Sequence, residues 1–239
     1  MTILFMNNQL YEFSYFSPSF VNSYRMRDYI FPSRIWQCLL LLVVTLVISV
    51  PVTALFPPGF MMIAMAIAMM VPGVGIALYM NRKKEAGRSW LKGVPLPTVF
   101  MYAGIAYVFA IGQNFLFPEL GSSYAMVQEN LTVSYALLAV FIGPVAEEFI
   151  FRGVFLNGLL SRYHPWIAIA FTGMLFGILH FDVAAQGSYD IQMVRAIAIS
   201  LNGLLFGYVF YRTSSVWASV AMHMTTNFYC LFPIGEFLT

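Results

Sequence analysis

Apolar residues in this chain come in runs of about twenty, separated by short polar segments. Within a run they do not alternate with polar residues, as they would in the strands of a membrane barrel. One such run is long enough for a helix to cross the hydrocarbon core of a bilayer. The pattern predicts seven transmembrane helices, at residues 34–56, 58–80, 96–117, 129–160, 166–181, 191–212 and 216–234.

The composition also indicates a membrane protein. Of the 239 residues, 60% are hydrophobic and only 9% are charged, whereas soluble domains carry about 25% charged residues. Because only helices and closed barrels can span lipid, we expect an all-α fold, a polytopic transmembrane helical bundle of about seven spans within a range of six to eight. The range reflects the fourth span, which at about 30 residues is too long for one straight crossing. Gly143-Pro144 predicts a kink in this span. The length of the span also leaves room for a further short membrane segment within it.

The basic residues indicate which helix ends face the cytoplasm. Because cytoplasmic loops are enriched in Lys and Arg, the side that carries most of them is predicted to be cytoplasmic. We therefore expect a multi-pass protein of the cell membrane, with its amino terminus in the cytoplasm and its carboxyl terminus outside. With seven spans, ten of the twelve basic residues fall on this inner side, namely Arg25, Arg27, Arg34, Arg82, Lys83, Lys84, Arg88, Lys92, Arg162 and Arg212.

The chain divides into three regions. Residues 1–33 are aromatic and polar, which predicts an interfacial arm at the membrane surface. Residues 34–128 hold three spans without a recognisable motif, and residues 129–239 hold the other four. The largest basic cluster, 82–92, is a loop beside the membrane. It suits contact with anionic membrane lipid, and nothing in the chain predicts a nucleic-acid partner.

Ionisable groups inside a membrane span are costly and therefore suggest function. The fourth span contains Glu147, Glu148 and Arg152. Glu148 and Arg152 are four residues apart, so they share one face of a helix and can neutralise each other. Glu147 is rotated about 100° from that face and is left without this partner. A carboxylate in such surroundings is a candidate general base.

Two further pairs with the same spacing lie in later spans. Phe176 and His180 occur in the fifth span, and His223 and Asn227 occur in the seventh. Hydrolysis of a peptide bond needs a base that takes a proton from water and donors for the oxygen that becomes negative. Glu147 suits the base, His180 can orient the water, and His223 and Asn227 can donate to the oxyanion.

Each of these groups has a simpler explanation. A histidine or asparagine in a membrane span usually links two helices, and a pair of glutamates can line an ion pathway. A proton-coupled transporter would show two related halves, which we do not find, and a non-catalytic membrane scaffold would be favoured by loss of the polar residues, which are intact. No cofactor is expected, because no zinc motif of the H-E-x-x-H type occurs, although Glu and His are competent zinc ligands.

The polar pairs resemble the three motifs of the CPBP family, which comprises the CAAX proteases and bacteriocin-processing enzymes and is also called the Abi family. Each motif is short, but three of them in the right order are specific. The resemblance covers about residues 131–230, so 129–239 is the expected catalytic core. The motifs are Glu147-Glu148-x-x-x-Arg152, Phe176-x-x-x-His180 and His223-x-x-x-Asn227.

The resemblance implies a glutamate-dependent intramembrane endopeptidase. In this family the first glutamate and the first histidine activate water, and the second histidine and the asparagine form the oxyanion hole. The implied substrate is a small hydrophobic peptide or a prenylated or otherwise lipidated protein tail, in bacterial peptide processing or bacteriocin immunity. The implied catalytic residues are Glu147, His180, His223 and Asn227, with Glu148, Arg152 and Phe176 in support.

Overall fold

A computed structural model describes residues 31–57, 61–83, 90–121, 131–181 and 189–232. These residues contain seven long helices and no strand, so the predicted all-α fold is confirmed, and every described helix end lies within four residues of its prediction. Most of the predicted arm, residues 1–30, lies outside the described residues. The helices are α1 Ile35–Thr53, α2 Met61–Met80, α3 Leu96–Leu116, α4 Val133–Leu159, α5 Pro165–Leu179, α6 Tyr189–Thr213 and α7 Val216–Leu231.

The outer surface of the bundle is apolar. Leu55, Phe115 and Val133 are each at least 79% exposed, which suits side chains that face lipid. Four helices, α1, α3, α4 and α6, are long and apolar enough to cross a membrane by length and composition, and α5 is apolar but shorter. The chain is therefore a multi-pass membrane protein.

The central helix α4 runs without interruption, so the further segment that its length suggested is not there. Two stretches of it, Leu138–Ile142 and Phe149–Leu156, have the wider turns of a π-helix. Between them, Gly143–Glu148 is α-helical. Since π turns inside α-helices are frequent at functional sites, the segment between them, which holds both glutamates, is a candidate site.

The first π stretch accommodates Pro144. In a regular helix the ring of a proline clashes with the carbonyl four residues earlier and removes one hydrogen bond. Here the preceding turn is widened, and the N–H of Gly143 donates to the carbonyl of Leu138, five residues back. The change from the α to the π register before Pro144 thus accommodates the pair Gly143-Pro144, which predicted a kink.

Helices α5 and α6 approach each other through glycines. A Cβ atom added to Gly173 would lie 2.8 Å from the backbone nitrogen of Leu204, and one added to Gly177 would collide with the hydroxyl of Ser200. Gly203 lies opposite Gly173: a Cβ atom added to Gly203 would lie 2.9 Å from the Cα of Gly173. Small residues let two membrane helices pack backbone against backbone. This packing places the end of α5, where His180 follows.

Polar contacts join neighbouring helices where they begin and end. The Asn81 side chain, just after α2, donates to the carbonyl of Phe31, just before α1, at 2.6 Å. The Ser215 hydroxyl, at the start of α7, donates to the carbonyl of Lys92, before α3, also at 2.6 Å. The start of α1 thus lies beside the end of α2, and the starts of α3 and α7 lie side by side, as the predicted alternation of helix direction requires.

The glycine contacts can be tested with two alanine variants. Gly177→Ala inserts a methyl group into the α5–α6 contact and should lower the free energy of unfolding by about 1–3 kcal/mol, the usual cost of overpacking. Gly112→Ala is the matched control, because a Cβ there meets nothing within 4 Å. Thermal unfolding in detergent measures both. Equal stability of the two variants would contradict the described packing.

Candidate active site

Glu148 and Arg152 form a buried ion pair, as their spacing predicts. Oε1 of Glu148 lies 3.0 Å from Nη1 of Arg152, and neither side chain has exposed surface. Nη2 of Arg152 donates to the carbonyl of Gly203 on α6 at 3.0 Å. A buried charge is tolerated only when it is paired and hydrogen-bonded. The pair therefore fixes α4 against α6 and leaves Glu148 without a free charge.

Aromatic rings enclose the guanidinium. Cζ of Arg152 lies 4.7 Å from the ring centre of Phe176 on α5 and 5.5 Å from that of Phe206 on α6, and such contacts between a cation and ring faces are favourable. Phe176 also packs against His180, with 4.7 Å between ring centres. Phe176 thus takes a supporting place, whereas Phe206 belongs to no motif and only its tertiary contacts reveal it.

His223 is oriented by Glu148. Its Nδ1 lies 3.0 Å from Oε1 of Glu148, and its ring stacks on Phe206 with 5.2 Å between centres. Because an ionised carboxylate can only accept, Nδ1 carries the hydrogen of this bond. Nε2 is therefore the available nitrogen, and it lies 3.8 Å from Oε2 of Glu147.

His180 is oriented by the end of its own helix. Nδ1 lies 2.7 Å from the carbonyl of Phe176, and since a carbonyl can only accept, Nδ1 carries the hydrogen. Nε2 is left facing Glu147, 3.6 Å from its Oε2. Both imidazoles thus present the same nitrogen to the same oxygen.

The two histidines that face Oε2 of Glu147 lie at different distances from the starts of their helices. His180 follows Pro165 after about 22 Å of helix, whereas His223 follows Val216 after about 10 Å, at the usual rise of 1.5 Å per residue. Both nevertheless lie within 3.8 Å of Oε2 of Glu147. α5 and α7 therefore begin at different depths or have different tilts, which the apolar pattern alone does not reveal.

Glu147 is where these groups meet. Its side chain is 35% exposed and that of His180 is 29% exposed, whereas Glu148 is fully buried. The distances of 3.6 and 3.8 Å to the histidines exceed those of direct hydrogen bonds, so Oε2 is left free to bond a water that lies beside the two rings. Two adjacent glutamates therefore occupy different environments. Glu148 is sealed in an ion pair, whereas the side chain of Glu147 is partly exposed and keeps its Oε2 buried without a hydrogen-bond partner among the described residues.

Asn227 contacts α4 rather than this meeting point. Its Nδ2 donates to the carbonyl of Ala139, in the first π stretch, at 2.7 Å. One of the two amide hydrogens is thereby used within the protein. The structure thus brings Glu147, His180 and His223 together and ties Asn227 to the backbone beside them.

Comparison with known proteins points to the same part of the chain. Residues 129–229 match the family model described as type II CAAX prenyl endopeptidase, Rce1-like. A Bacillus subtilis (strain 168) protein named "Putative membrane peptidase YdiL" is 24% identical over 122 residues, which are 51% of this chain and 44% of that protein. An Escherichia coli protein named "Uncharacterized 24.3 kDa protein" is 29% identical over 146 residues, 59% of this chain and 61% of that protein.

The chain thus spans about half the length of the curated relatives described, 44% of one and 61% of the other. No solved structure matches it. The family match includes all seven candidate site residues, and the family is one of CAAX prenyl endopeptidases. The family resemblance predicted from the three motifs is thereby confirmed for residues 129–229.

Proposed function

We propose that this protein is an intramembrane endopeptidase in which Glu147 activates the water that hydrolyses a peptide bond. One observation carries the proposal: Nε2 of His180 and Nε2 of His223 both face Oε2 of Glu147, at 3.6 and 3.8 Å, and in the part of the chain that the structure describes this oxygen is buried without a hydrogen-bond partner in a side chain that is 35% exposed. The match to a membrane endopeptidase family supports it. The buried pair of Glu148 and Arg152 supports it as well, because it leaves Glu147 as the accessible carboxylate.

The reaction begins with a water held between Glu147 and His180. The carboxylate takes one proton of this water, and the lone pair on Nε2 of His180 accepts the hydrogen bond that orients it. The resulting hydroxide attacks the carbonyl carbon of the substrate and forms a tetrahedral intermediate. Glu147 then returns its proton to the leaving nitrogen, and the carbon–nitrogen bond breaks. General base catalysis of this kind contributes about 10²–10⁴ in rate.

His223 is the proposed donor to the oxyanion. Its Nδ1–H is already directed to Glu148, so Nε2 can donate only when the ring carries a second proton. The carboxylate of Glu148 and the ring of Phe206, stacked on the imidazole, hold a charged ring in this orientation. The family resemblance implies Asn227 as a second donor, but one of its amide hydrogens already bonds the carbonyl of Ala139.

The proposed substrate is a small hydrophobic peptide or a prenylated or otherwise lipidated protein tail, reached from within the membrane. The apolar outer surface supports this choice, because an apolar substrate can approach the bundle through lipid. We propose a role in bacterial peptide processing or bacteriocin immunity, on the strength of the family resemblance. The two matching proteins come from bacteria, which supports the bacterial setting alone. Besides the substrate, the proposed partner is membrane lipid. We propose no nucleic-acid partner.

Glu147→Gln and Glu148→Gln form a matched pair that tests the proposal. Glu147→Gln should fold normally and lose about 10²–10⁴ in kcat, because the base is removed. Glu148→Gln should lose about 3–5 kcal/mol of stability, because Arg152 is left buried without its partner. Turnover of a peptide library by purified protein and thermal unfolding separate the two effects. Full turnover by Glu147→Gln together with a stable, inactive Glu148→Gln would reverse the assignment.

The proposed mechanism needs no metal, and chelation tests this. Protein treated with a chelator and then freed of it should keep its activity. Added Zn²⁺ should inhibit, because Glu147 and the two histidines present ligand atoms of the kind that zinc prefers. Metal analysis accompanies the assay. Zinc bound one to one, whose removal abolishes turnover and whose return restores it, would instead make the protein a metalloprotease.

We further propose that the basic ends of the helices face the cytoplasm of the cell membrane, with the amino terminus inside and the carboxyl terminus outside. Reporter fusions after successive helices test this orientation, because basic loops are retained in the cytoplasm. If fusions after Arg162 and Asp182 report the same side, α5 does not cross. The expected locations are in, out, in, out and in for fusions after Arg82, Glu119, Arg162, Asp182 and Arg212.

A further inference from the structure

Pro144 deprives one carbonyl of α4 of its helical partners. In the α register, the carbonyl of Ala139 would accept from the N–H of Gly143, but that N–H donates to Leu138 instead. In the π register it would accept from the N–H of residue 144, which is a proline and has none. The Ala139 carbonyl therefore depends on a donor from outside its helix.

Asn227 supplies that donor. Its Nδ2 lies 2.7 Å from the Ala139 carbonyl and joins α7 to α4. His223, one turn earlier on the same face of α7, joins α4 through Glu148. The two contacts lie on either side of Pro144, and the residues between them include Glu147. One face of α7 thus contacts α4 both before and after Pro144.

The carboxylate of Glu147 lies near Gly143, at the end of the first π stretch. A Cβ atom added to Gly143 would lie 3.9 Å from Oε1 of Glu147 and 3.1 Å from the carbonyl of Leu138. If the π stretch changed to the α register, the residues before Pro144 would rotate by about 100° relative to those after it. The carboxylate would then lie over a different surface.

We propose that Asn227 is a positioning residue, which acts through the Ala139 carbonyl to hold the π turn under Glu147. This role differs from donation to the oxyanion, because an oxyanion donor contacts the reacting atoms and a positioning residue contacts the backbone. The expected effect of Asn227 on kcat rests on the proposed function. The contact between Asn227 and Ala139, and its effect on stability, are independent of that function.

Restoring the missing N–H at residue 144 separates the two roles. In Pro144→Ala, the new N–H can donate to Ala139 in the π register, so Asn227 is no longer the only donor for this carbonyl. We expect Asn227→Ala to lower kcat about 100-fold in the Pro144 protein, with little change in KM, since small displacements of a catalytic group cost this much. In the Pro144→Ala background the loss should be less than about tenfold. The melting temperature should show the same rescue.

An oxyanion donor predicts the opposite result. The loss in kcat would then be equal in both backgrounds, because residue 144 cannot replace a contact with the reacting oxygen, and this outcome overturns the inference. If Pro144→Ala does not fold, Pro144→Val restores the same N–H with a side chain closer in size. Gln113→Ala is the matched control, because the Gln113 amide also donates to a carbonyl of another helix, Ala198, at 2.8 Å. Its effect should be independent of residue 144.

The melting temperatures distinguish failure of this inference from failure of the proposed function. Wild-type protein without peptidase activity would refute the function, while coupling between Asn227 and Pro144 in thermal unfolding would still support the contact. Active protein in which neither kcat nor melting temperature shows coupling would refute the positioning role and leave the function in place.

Discussion

An ionised glutamate and an arginine cannot remain inside a membrane bundle unless they neutralise each other, and most of the site follows from how this is achieved. The guanidinium of Arg152 bonds Glu148 and the carbonyl of Gly203, while the same carboxylate oxygen accepts from His223. Leaving either charge unpaired would cost several kcal/mol. The pair therefore holds α4, α6 and α7 in one arrangement, and the ring of Phe176 adds α5 to it.

The same constraint gives two neighbouring glutamates different chemistry. Glu148 uses its charge within the protein, with no surface exposed, whereas Glu147 is 35% exposed and faces two histidine nitrogens. A helix separates adjacent side chains by about 100°, so one residue can seal the interior while the next lines the opening. Glu148 thereby contributes to stability, and Glu147, the proposed base, remains without an ion-pair partner of the same kind among the described residues.

The sequence predicts those features that depend on local spacing. Seven apolar runs predict the seven helices, and the separation of Glu148 and Arg152 predicts their ion pair. The bond from Asn227 to Ala139 has no such signal, because it depends on the register of α4 and on which helix of the folded bundle lies beside it. Phe206 was missed for the same reason: its stacking on His223 joins two helices whose contact is tertiary.

Irregular backbone and chemistry occur together in this bundle for a physical reason. Inside a membrane, a helix can change register only where other parts of the protein satisfy the freed carbonyls, since lipid offers no donor. The donors must come from polar side chains on a facing helix, and here α7 provides Asn227 beside His223. Polar groups that make the π turn of α4 tolerable thus lie next to the carboxylate that we propose as the catalytic base. A wider turn also alters the direction of the following side chains, so the π register before Pro144 helps to decide where Glu147 points.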